Sequence, residues 1–153
     1  MIRKATIKDI KSIHLLLRDY GAKGLLLSRP LSQLYDHVRD FWVFIDTGKD
    51  AVMGCCALQF CWEDMAEIRS LAVDEEHGRK KIGSQLIKAA LQEAETFHIK
   101  KIFTLTYQPE FFNKFGFNEI NKSELPHKIW ADCISCVKFP DCDEIAMMKV
   151  IGG

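Results

Sequence analysis

One segment in the middle of the chain constrains the fold more than any other. An apolar, β-branched run over 65–73 predicts a strand, and from Ser84 an apolar stripe at helical spacing predicts a helix of about four turns. A second apolar run over 102–106 follows at once and predicts another strand. Because a strand, a helix and a second strand in this order form a βαβ crossover, we expect the strands around Val73 and Leu105 to be parallel neighbours.

The other predicted elements surround this crossover. They are, in chain order, a strand over 2–6, a helix opened by a capping box of Thr6 and Asp9 and closed by Gly21 and Gly24, a short helix after Pro30, an antiparallel hairpin of 41–45 and 51–60, a short helix over 109–115 ended by Gly116, and a strand over 144–150. Residues 1–153 are therefore predicted to form a single mixed α/β (α+β) domain.

Charge and hydropathy exclude several classes of partner. Lys plus Arg and Asp plus Glu both number 21, so the chain lacks the basic field that holds nucleic acid or anionic lipid. No apolar run reaches the length of a membrane span, and the start of the chain alternates apolar and charged residues. We therefore expect a cytoplasmic protein with no nucleic-acid or membrane partner, in which local residues meet any charged ligand.

The turn between the first strand of the crossover and its helix has the composition of an anion-binding site. It contains Gly78 and Gly83, with Arg79, Lys80 and Lys81 between them. The first N–H groups of a helix lack partners within the helix, and the helix dipole is positive at that end, so such turns bind phosphate groups. A solvated loop with a basic helix start would show the same pattern. The glycine spacing fits neither a P-loop nor a dinucleotide-binding fingerprint.

From Ile68 to Phe97 the sequence resembles the GNAT acetyltransferase superfamily, with its central strand, pyrophosphate-binding turn and long helix. The turn of that family usually reads Arg or Gln, two residues, Gly, one residue, then Gly or Ala. Here Gly78 precedes Arg79, which reverses the customary order, and Lys81 stands where glycine is commonest. Backbone N–H groups hold most of the pyrophosphate, and any residue except proline supplies one.

This resemblance implies acetyl-CoA as cosubstrate and a GNAT-like, mostly antiparallel central sheet with one parallel crossover and helices on both faces. It also implies that the central strand bulges and separates from its parallel neighbour. Main-chain groups of Leu71 and Val73 would then bond the pantetheine arm and the thioester oxygen. The full implied cofactor set is Leu71, Ala72, Val73, Gly78, Arg79, Lys80, Lys81, Ile82, Gly83, Ser84 and Asn113. For Asn113, an exposed helix position is the alternative interpretation.

Four further segments resemble the single-domain N-acetylglutamate synthases, the amino-acid N-acetyltransferases that open arginine biosynthesis. They span 65–73, 105–117, 125–130 and 132–133. The resemblance implies direct attack of an amino acid's α-amino group on the thioester, with L-glutamate as the expected acceptor. Another small amine, a protein terminus, or a non-catalytic acyl-CoA-binding module are the alternatives. The sequence leaves open whether the chain works alone or as a homodimer.

Acetyl transfer needs a base for the amine and an acid for the departing thiolate. Glu67 occupies the position where the resembling synthases have a glutamate facing the acceptor, and we predict it as the base; an ion pair with Arg69, two residues along the strand, is the alternative. Many GNAT enzymes use a tyrosine as the acid where this chain has Phe112. Tyr107 is our candidate instead, with Ser70 as the weaker one.

An amino-acid acceptor presents carboxylates, which guanidinium groups grip with two hydrogen bonds. Arg29 corresponds to an arginine-rich, substrate-contacting stretch of the resembling enzymes. Arg69 and Ser70 lie on the central strand near the expected chemistry, so all three are predicted to bind substrate.

A cluster near the C-terminus has soft metal ligands but incomplete zinc-site spacing. It consists of His127, Cys133, Cys136 and Cys142. Reduced thiols packed in the fold are the alternative to a structural metal. We expect the chemistry itself to need no metal.

Overall fold

The structure is a computed structural model that describes residues 1–22, 29–74, 79–125 and 144–151, with Arg79 and Lys80 described by their backbone alone. The helices are α1 (Ile10–Ala22), α2 (Leu31–Asp36), α3 (Arg79–Thr96) and α4 (Pro109–Asn113). The strands are β1 (Ile2–Lys4), β2 (Phe41–Asp46), β3 (Ala51–Phe60), β4 (Met65–Val73), β5 (Lys101–Thr106), β6 (Asn118–Glu119) and β7 (Ile145–Val150). Short 3₁₀ turns cover Ile7–Asp9, Val38–Asp40 and Lys122–Glu124. None of these described helices is long and apolar enough to cross a lipid bilayer.

The strands form one seven-stranded sheet in the order β1-β2-β3-β4-β5-β7-β6. β4 and β5 run parallel, and every other neighbouring pair is antiparallel. The mixed α/β fold class, with a mostly antiparallel sheet and one βαβ crossover, is thereby confirmed. The predicted hairpin is also present, with Phe41 opposite Ala57 in the register of β2 and β3.

One sequence prediction about the crossover is wrong in its position. The parallel pairing joins 65–67 to 101–103 and does not extend to Val73 and Leu105. Val73 instead pairs with Gly54 of β3, and Leu105 pairs with Ala146 of β7. The two parallel strands are therefore neighbours at their starts and separate toward their ends.

Local signals account for the helix boundaries only in part. Thr6 and Asp9 form the predicted capping box, in which the Thr6 N–H donates to Oδ2 of Asp9 at 2.7 Å. Of the two glycines predicted to close the first helix, Gly21 is the next-to-last residue of α1, which ends at Ala22, and Gly24 lies outside the described residues. α3 begins at Arg79, well before Ser84, because its basic first turn carries too few apolar residues to show the helical period.

Helices cover both faces of the sheet. α1 and α2 pack on one face, with Ile13, Leu17 and Leu34 fully buried in that core. α3 packs on the other face through Ile82, Leu86, Ile87, Ala90 and Ala94. Close approach of α3 to β3 depends on Gly54, since a Cβ atom there would lie 2.8 Å from Cγ2 of Ile82. Ala66 and Ile68 of β4 pack under α3, so Glu67 and Arg69 of the same strand lie on the face of the sheet opposite α3.

Candidate active site

A cleft opens where the two parallel strands separate. The last residues paired between β4 and β5 are Glu67 and Phe103. One residue further on, the carbonyl oxygen of Ile68 accepts a hydrogen bond of 2.8 Å from Oγ1 of Thr104. A side chain thus takes the acceptor that a backbone N–H of β5 would use in a continuous ladder. Thr104 is almost fully buried, so this bond marks the floor of the opening.

A bulge in β4 lies beside this point. Cys55 pairs with Ala72 but Ala57 pairs with Arg69, so β4 carries one more residue than β3 over the same stretch. Ser70 has a φ of 58°, a left-handed conformation that is uncommon for residues other than glycine. Its carbonyl oxygen accepts a hydrogen bond of 3.4 Å from Sγ of Cys55. The bulge and separation expected from the resemblance therefore coincide in space.

The cleft encloses about 410 Å³, part of it open to solvent. Residues of β4 form one wall and residues at the end of β5 form the other, with one aromatic side chain from α1 and one from α4. The lining residues are Tyr20, Ile68, Arg69, Ser70, Leu71, Thr104, Leu105, Thr106, Gln108 and Phe112. Within the described ranges no group of three or more His, Cys, Asp or Glu is placed to hold a metal ion. His127, Cys133, Cys136 and Cys142 lie outside those ranges.

Arg29 is the most unusual charged group near the cleft. It is only 5% exposed, and its Nη1 donates to Oγ of Ser70 at 3.3 Å while its Nε donates to Oε1 of Gln33 at 3.4 Å. Its guanidinium carbon lies 5.6 Å from the centre of the Phe41 ring. Burial, and then repulsion from Arg69, lowers the pKa of Arg29 to about 10. Both of these hydrogen-bond acceptors are neutral, while the carboxylates of Asp40 and Glu67 act on the guanidinium at longer range.

Ala66 and Ile68 pack in the core under α3, so strand alternation places Glu67 and Arg69 on the opposite, α1 side of β4. Nη1 of Arg69 is 3.9 Å from Oε1 of Glu67 but 3.1 Å from Oε1 of Gln59. Gln59 stands directly opposite Glu67 in the register of β3 and β4, and both residues are buried. The predicted ion pair is thus present in a loose form, and Gln59, which sequence reasoning missed, holds the closer contact.

The candidate acids differ in their position relative to the cleft. Tyr107 follows the end of β5 and is half-buried, and it is not among the residues that line the cleft. Thr106, also missed from the sequence, lines the cleft, and its Oγ1 accepts the Gln108 N–H at 2.8 Å. Ser70 lines the cleft as well, but its hydroxyl is engaged by Arg29. Asn113 is exposed at the last position of α4.

The predicted cofactor residues occupy the start of α3 and the end of β4. Arg79, Lys80, Lys81 and Ile82 form the first turn of α3, whose N–H groups lack acceptors within the helix. Three of the residues predicted to bind the cofactor have buried side chains: Ala72, Val73 and Ile82. They can contact a ligand only through their main-chain groups. Half-buried Leu71 lines the cleft, Lys81 is exposed and Ser84 is half-buried, while Gly78 lies outside the described residues.

Gly83 lies inside α3 where that helix meets α4. A Cβ atom at this position would lie 3.3 Å from Cζ of Phe111. The glycine predicted for the phosphate turn is therefore also a packing position, since it lets Phe111 approach the helix axis. No signal in the local sequence distinguishes these two demands.

Comparison with known proteins agrees with the fold and the acetyl donor that the sequence resemblance implies. Residues 12–117 match the acetyltransferase (GNAT) family. An uncharacterized N-acetyltransferase of Chlorobaculum tepidum is 39% identical over 98% of this chain and 96% of its own length. An amino-acid acetyltransferase of Mycobacterium tuberculosis is 35% identical over 85% of this chain and 75% of its own length.

A solved structure extends the comparison to three dimensions. N-acetylglutamate synthase of Neisseria gonorrhoeae, complexed with coenzyme A and N-acetyl-glutamate, superposes with a TM-score of 0.88 at 27% identity. The match covers 100% of this chain and 35% of the synthase chain. The chain is thus similar to about a third of that larger protein.

Proposed function

The chain belongs to the acetyltransferase (GNAT) family and is an N-acetyltransferase that uses acetyl-CoA as its acetyl donor, and from this premise we propose that its acceptor is the α-amino group of L-glutamate. The observation that carries this proposal is the pair of guanidinium groups beside the cleft. Arg29 is buried with its positive charge only weakly compensated, and Arg69 lies close enough to repel it.

Two guanidinium groups select for negative charge in the acceptor. A buried charge that is not closely paired is costly, and a carboxylate forming two hydrogen bonds to it removes much of that cost. A dicarboxylate amino acid offers one carboxylate for each arginine. A polyamine would add a third positive charge to Arg29 and Arg69, which opposes binding.

Glu67 is proposed as the base of the reaction. It takes a proton from the α-ammonium group, directly or through a water molecule, and the resulting amine nitrogen attacks the thioester carbonyl carbon. A C–N bond forms, the C–S bond breaks and the thiolate of CoA leaves. Tyr107 is proposed to supply the proton that this thiolate takes up. The nitrogen, positively charged after the attack, gives up its second proton, and that proton restores the hydroxyl group of Tyr107. The burial of Glu67 on the α1 side of β4, beside the cleft, supports its part in this scheme.

The donor is proposed to lie along the opening between β4 and β5. The bulge at Ser70 and the end of pairing after Glu67 support main-chain contacts from Leu71 and Val73 to the pantetheine arm and the thioester oxygen. N–H groups of the first turn of α3 would hold the pyrophosphate, with Lys81 contributing charge. Asn113, exposed on α4, is the proposed outer contact to CoA.

The similar proteins support an amino acid as the acceptor. An amino-acid acetyltransferase matches most of the chain, and the gonococcal synthase was solved with N-acetyl-glutamate. On the same ground we propose that the reaction belongs to arginine biosynthesis in the cytoplasm. A homodimer stays a prediction.

Thiol release from acetyl-CoA, measured across the twenty amino acids and a polyamine, tests the proposal. We expect L-glutamate to give the highest kcat/KM, and D-glutamate and the polyamine to give background rates. Glu67→Gln should bind acetyl-CoA normally and lose turnover by at least about a hundredfold. Turnover of the polyamine with none of glutamate would refute the acceptor assignment, and acetyl-CoA binding without any turnover would refute catalysis.

A further inference from the structure

Gln59 lies at the centre of a contact set that the proposed reaction does not yet use. It is 9% exposed on β3, a level at which an amide side chain normally has a defined partner. The backbone register sets it directly across from Glu67 on β4. Its Oε1 accepts a hydrogen bond of 3.1 Å from Nη1 of Arg69. One neutral side chain is therefore adjacent to both the proposed base and a proposed substrate arginine.

The two distances from Nη1 of Arg69 show which partner holds it. The amide oxygen of Gln59 is at hydrogen-bonding distance, whereas Oε1 of Glu67 is 3.9 Å away. A carboxylate attracts a guanidinium more strongly than an amide does, so without the amide the arginine would close onto Glu67. The hydrogen bond to Gln59, which lies opposite Glu67 in the register of β3 and β4, holds the guanidinium short of that position.

The consequence for the reaction follows from the proposed role of each residue. A base in a hydrogen-bonded ion pair with arginine accepts a proton less readily, because the pair favours its charged form. An arginine bound to Glu67 also has fewer N–H donors for a substrate carboxylate. Both effects are weaker while a neutral amide holds Arg69 at 3.9 Å from Glu67.

Among the described residues, the positive charge of Arg69 acts on Glu67 from its own strand, and that of Arg29 acts on it from the segment before α2. The residues directly opposite Glu67 on the two flanking strands are Gln59 and Phe103, and neither is charged.

We propose that Gln59 is a positioning residue of the active site, which holds Arg69 away from Glu67 so that the arginine binds the acceptor carboxylate and the glutamate accepts the ammonium proton. This inference rests on the proposed function, because it assumes an amino-acid acceptor and Glu67 as the base. It adds a specificity and rate determinant from β3, a strand that supplies none of the proposed catalytic groups.

Two substitutions at Gln59 should shift the acidic limb of the pH dependence of kcat/KM for glutamate in opposite directions. Gln59→Leu removes the acceptor, so Arg69 closes onto Glu67, the limb moves down by about one pH unit and the KM for glutamate rises roughly tenfold. Gln59→Glu keeps a partner for Arg69 but adds a negative charge opposite Glu67, so the limb moves up by about one pH unit. The KM for acetyl-CoA should change in neither variant.

Gln92→Leu, the same substitution at an exposed position of α3, serves as the matched control and should leave the profile unchanged. The melting temperature of each variant shows whether it is folded, so that a change in activity caused by unfolding is distinguished from one caused by the displacement of Arg69. Profiles that stay at the wild-type position in both folded variants, or that move in the same direction, would overturn the inference. A wild-type enzyme that does not acetylate glutamate would instead overturn the proposed function, which keeps the two failures apart.

Discussion

Removing the charge of Arg29 should weaken substrate binding and, at the same time, raise the stability of the fold. Burial and the charge of Arg69 lower the pKa of Arg29 from 12.5 to about 10, which corresponds to about 3 kcal/mol against the charged form in the folded protein. Because the folded-state pKa is the lower one, this destabilisation is fully present at neutral pH and lessens as the pH rises through about 10. A bound carboxylate would remove this destabilisation, so binding of the proposed substrate should also stabilise the folded protein.

Arg29→Met keeps an unbranched apolar side chain, shorter than that of arginine, and discards the charge. It loses the long hydrogen bonds to Ser70 and Gln33, which offset part of the gain at about 1 kcal/mol each. We expect the free energy of unfolding to rise by about 1 kcal/mol and the melting temperature by roughly 2–4 °C. Loss of a buried charge pair with the substrate costs about 3–4 kcal/mol, so kcat/KM for glutamate should fall by about 100- to 1,000-fold.

The assay is the initial rate of thiol release at saturating acetyl-CoA with glutamate varied, together with thermal unfolding with and without glutamate. Arg39→Met, the same change at an exposed arginine, is the matched control and should alter neither quantity. Glutamate should raise the melting temperature of the wild type and of the control but not of Arg29→Met. A kcat/KM within about threefold of wild type, or a marked loss of stability, would refute the reasoning.

Three further predictions concern packing, the acid and the buried thiols. Gly54→Ala, which sets a Cβ atom 2.8 Å from a side chain of α3, should lower the free energy of unfolding by about 1–3 kcal/mol in urea titrations, whereas Gly48→Ala in an exposed turn should not. Tyr107→Phe should lower kcat by about a hundredfold and Thr106→Val should not; the reverse result would move the acid to the threonine. Burial raises the pKa of the Cys55 thiol to about 12, so at about pH 8 iodoacetamide should label it only in unfolded protein, as read by peptide mass spectrometry.

Periodicity predicted the helices because each buries one face, whereas continuous apolar runs predicted strands such as β3, which is buried on both faces. The alternation of β4 placed Glu67 and Arg69 on one side of the sheet, and the structure agrees. The position of the parallel pairing was not predictable in the same way. It depends on a bulge at Ser70 and on a side-chain hydrogen bond from Thr104, and neither feature has a periodic signature. The order of β5, β7 and β6 likewise reflects long-range packing, and the two-residue β6 is too short to show any period.

Site residues were predictable to the extent that resemblance or alternation marks them. Arg29 meets Ser70 across 41 positions of sequence, a contact that the local pattern does not encode. The family resemblance indicated Arg29 as a substrate-binding residue but not this contact. Gln59 could have been found by pairing β3 with β4, since it falls opposite Glu67 once the register is known. The register itself carries the bulge, so an unbroken pairing drawn from Cys55 and Ala72 would have misaligned the two residues.

The position of the bulge also favours direct transfer over an acetylated enzyme. β4 has one extra residue after Arg69, so Ala72 lies on the α1 side, opposite Cys55, in the core of that face. At the same bulge, the hydroxyl of Ser70 accepts a hydrogen bond from Arg29. The proposed donor opening and the proposed substrate arginines thus meet at one point of one strand. Among the described cysteines, Cys55 is the one that contacts this point. It is fully buried, its thiol bonds the Ser70 carbonyl oxygen, and its pKa is raised by burial, so it offers no thiolate to attack the thioester. An amine deprotonated in place by Glu67 needs no such intermediate.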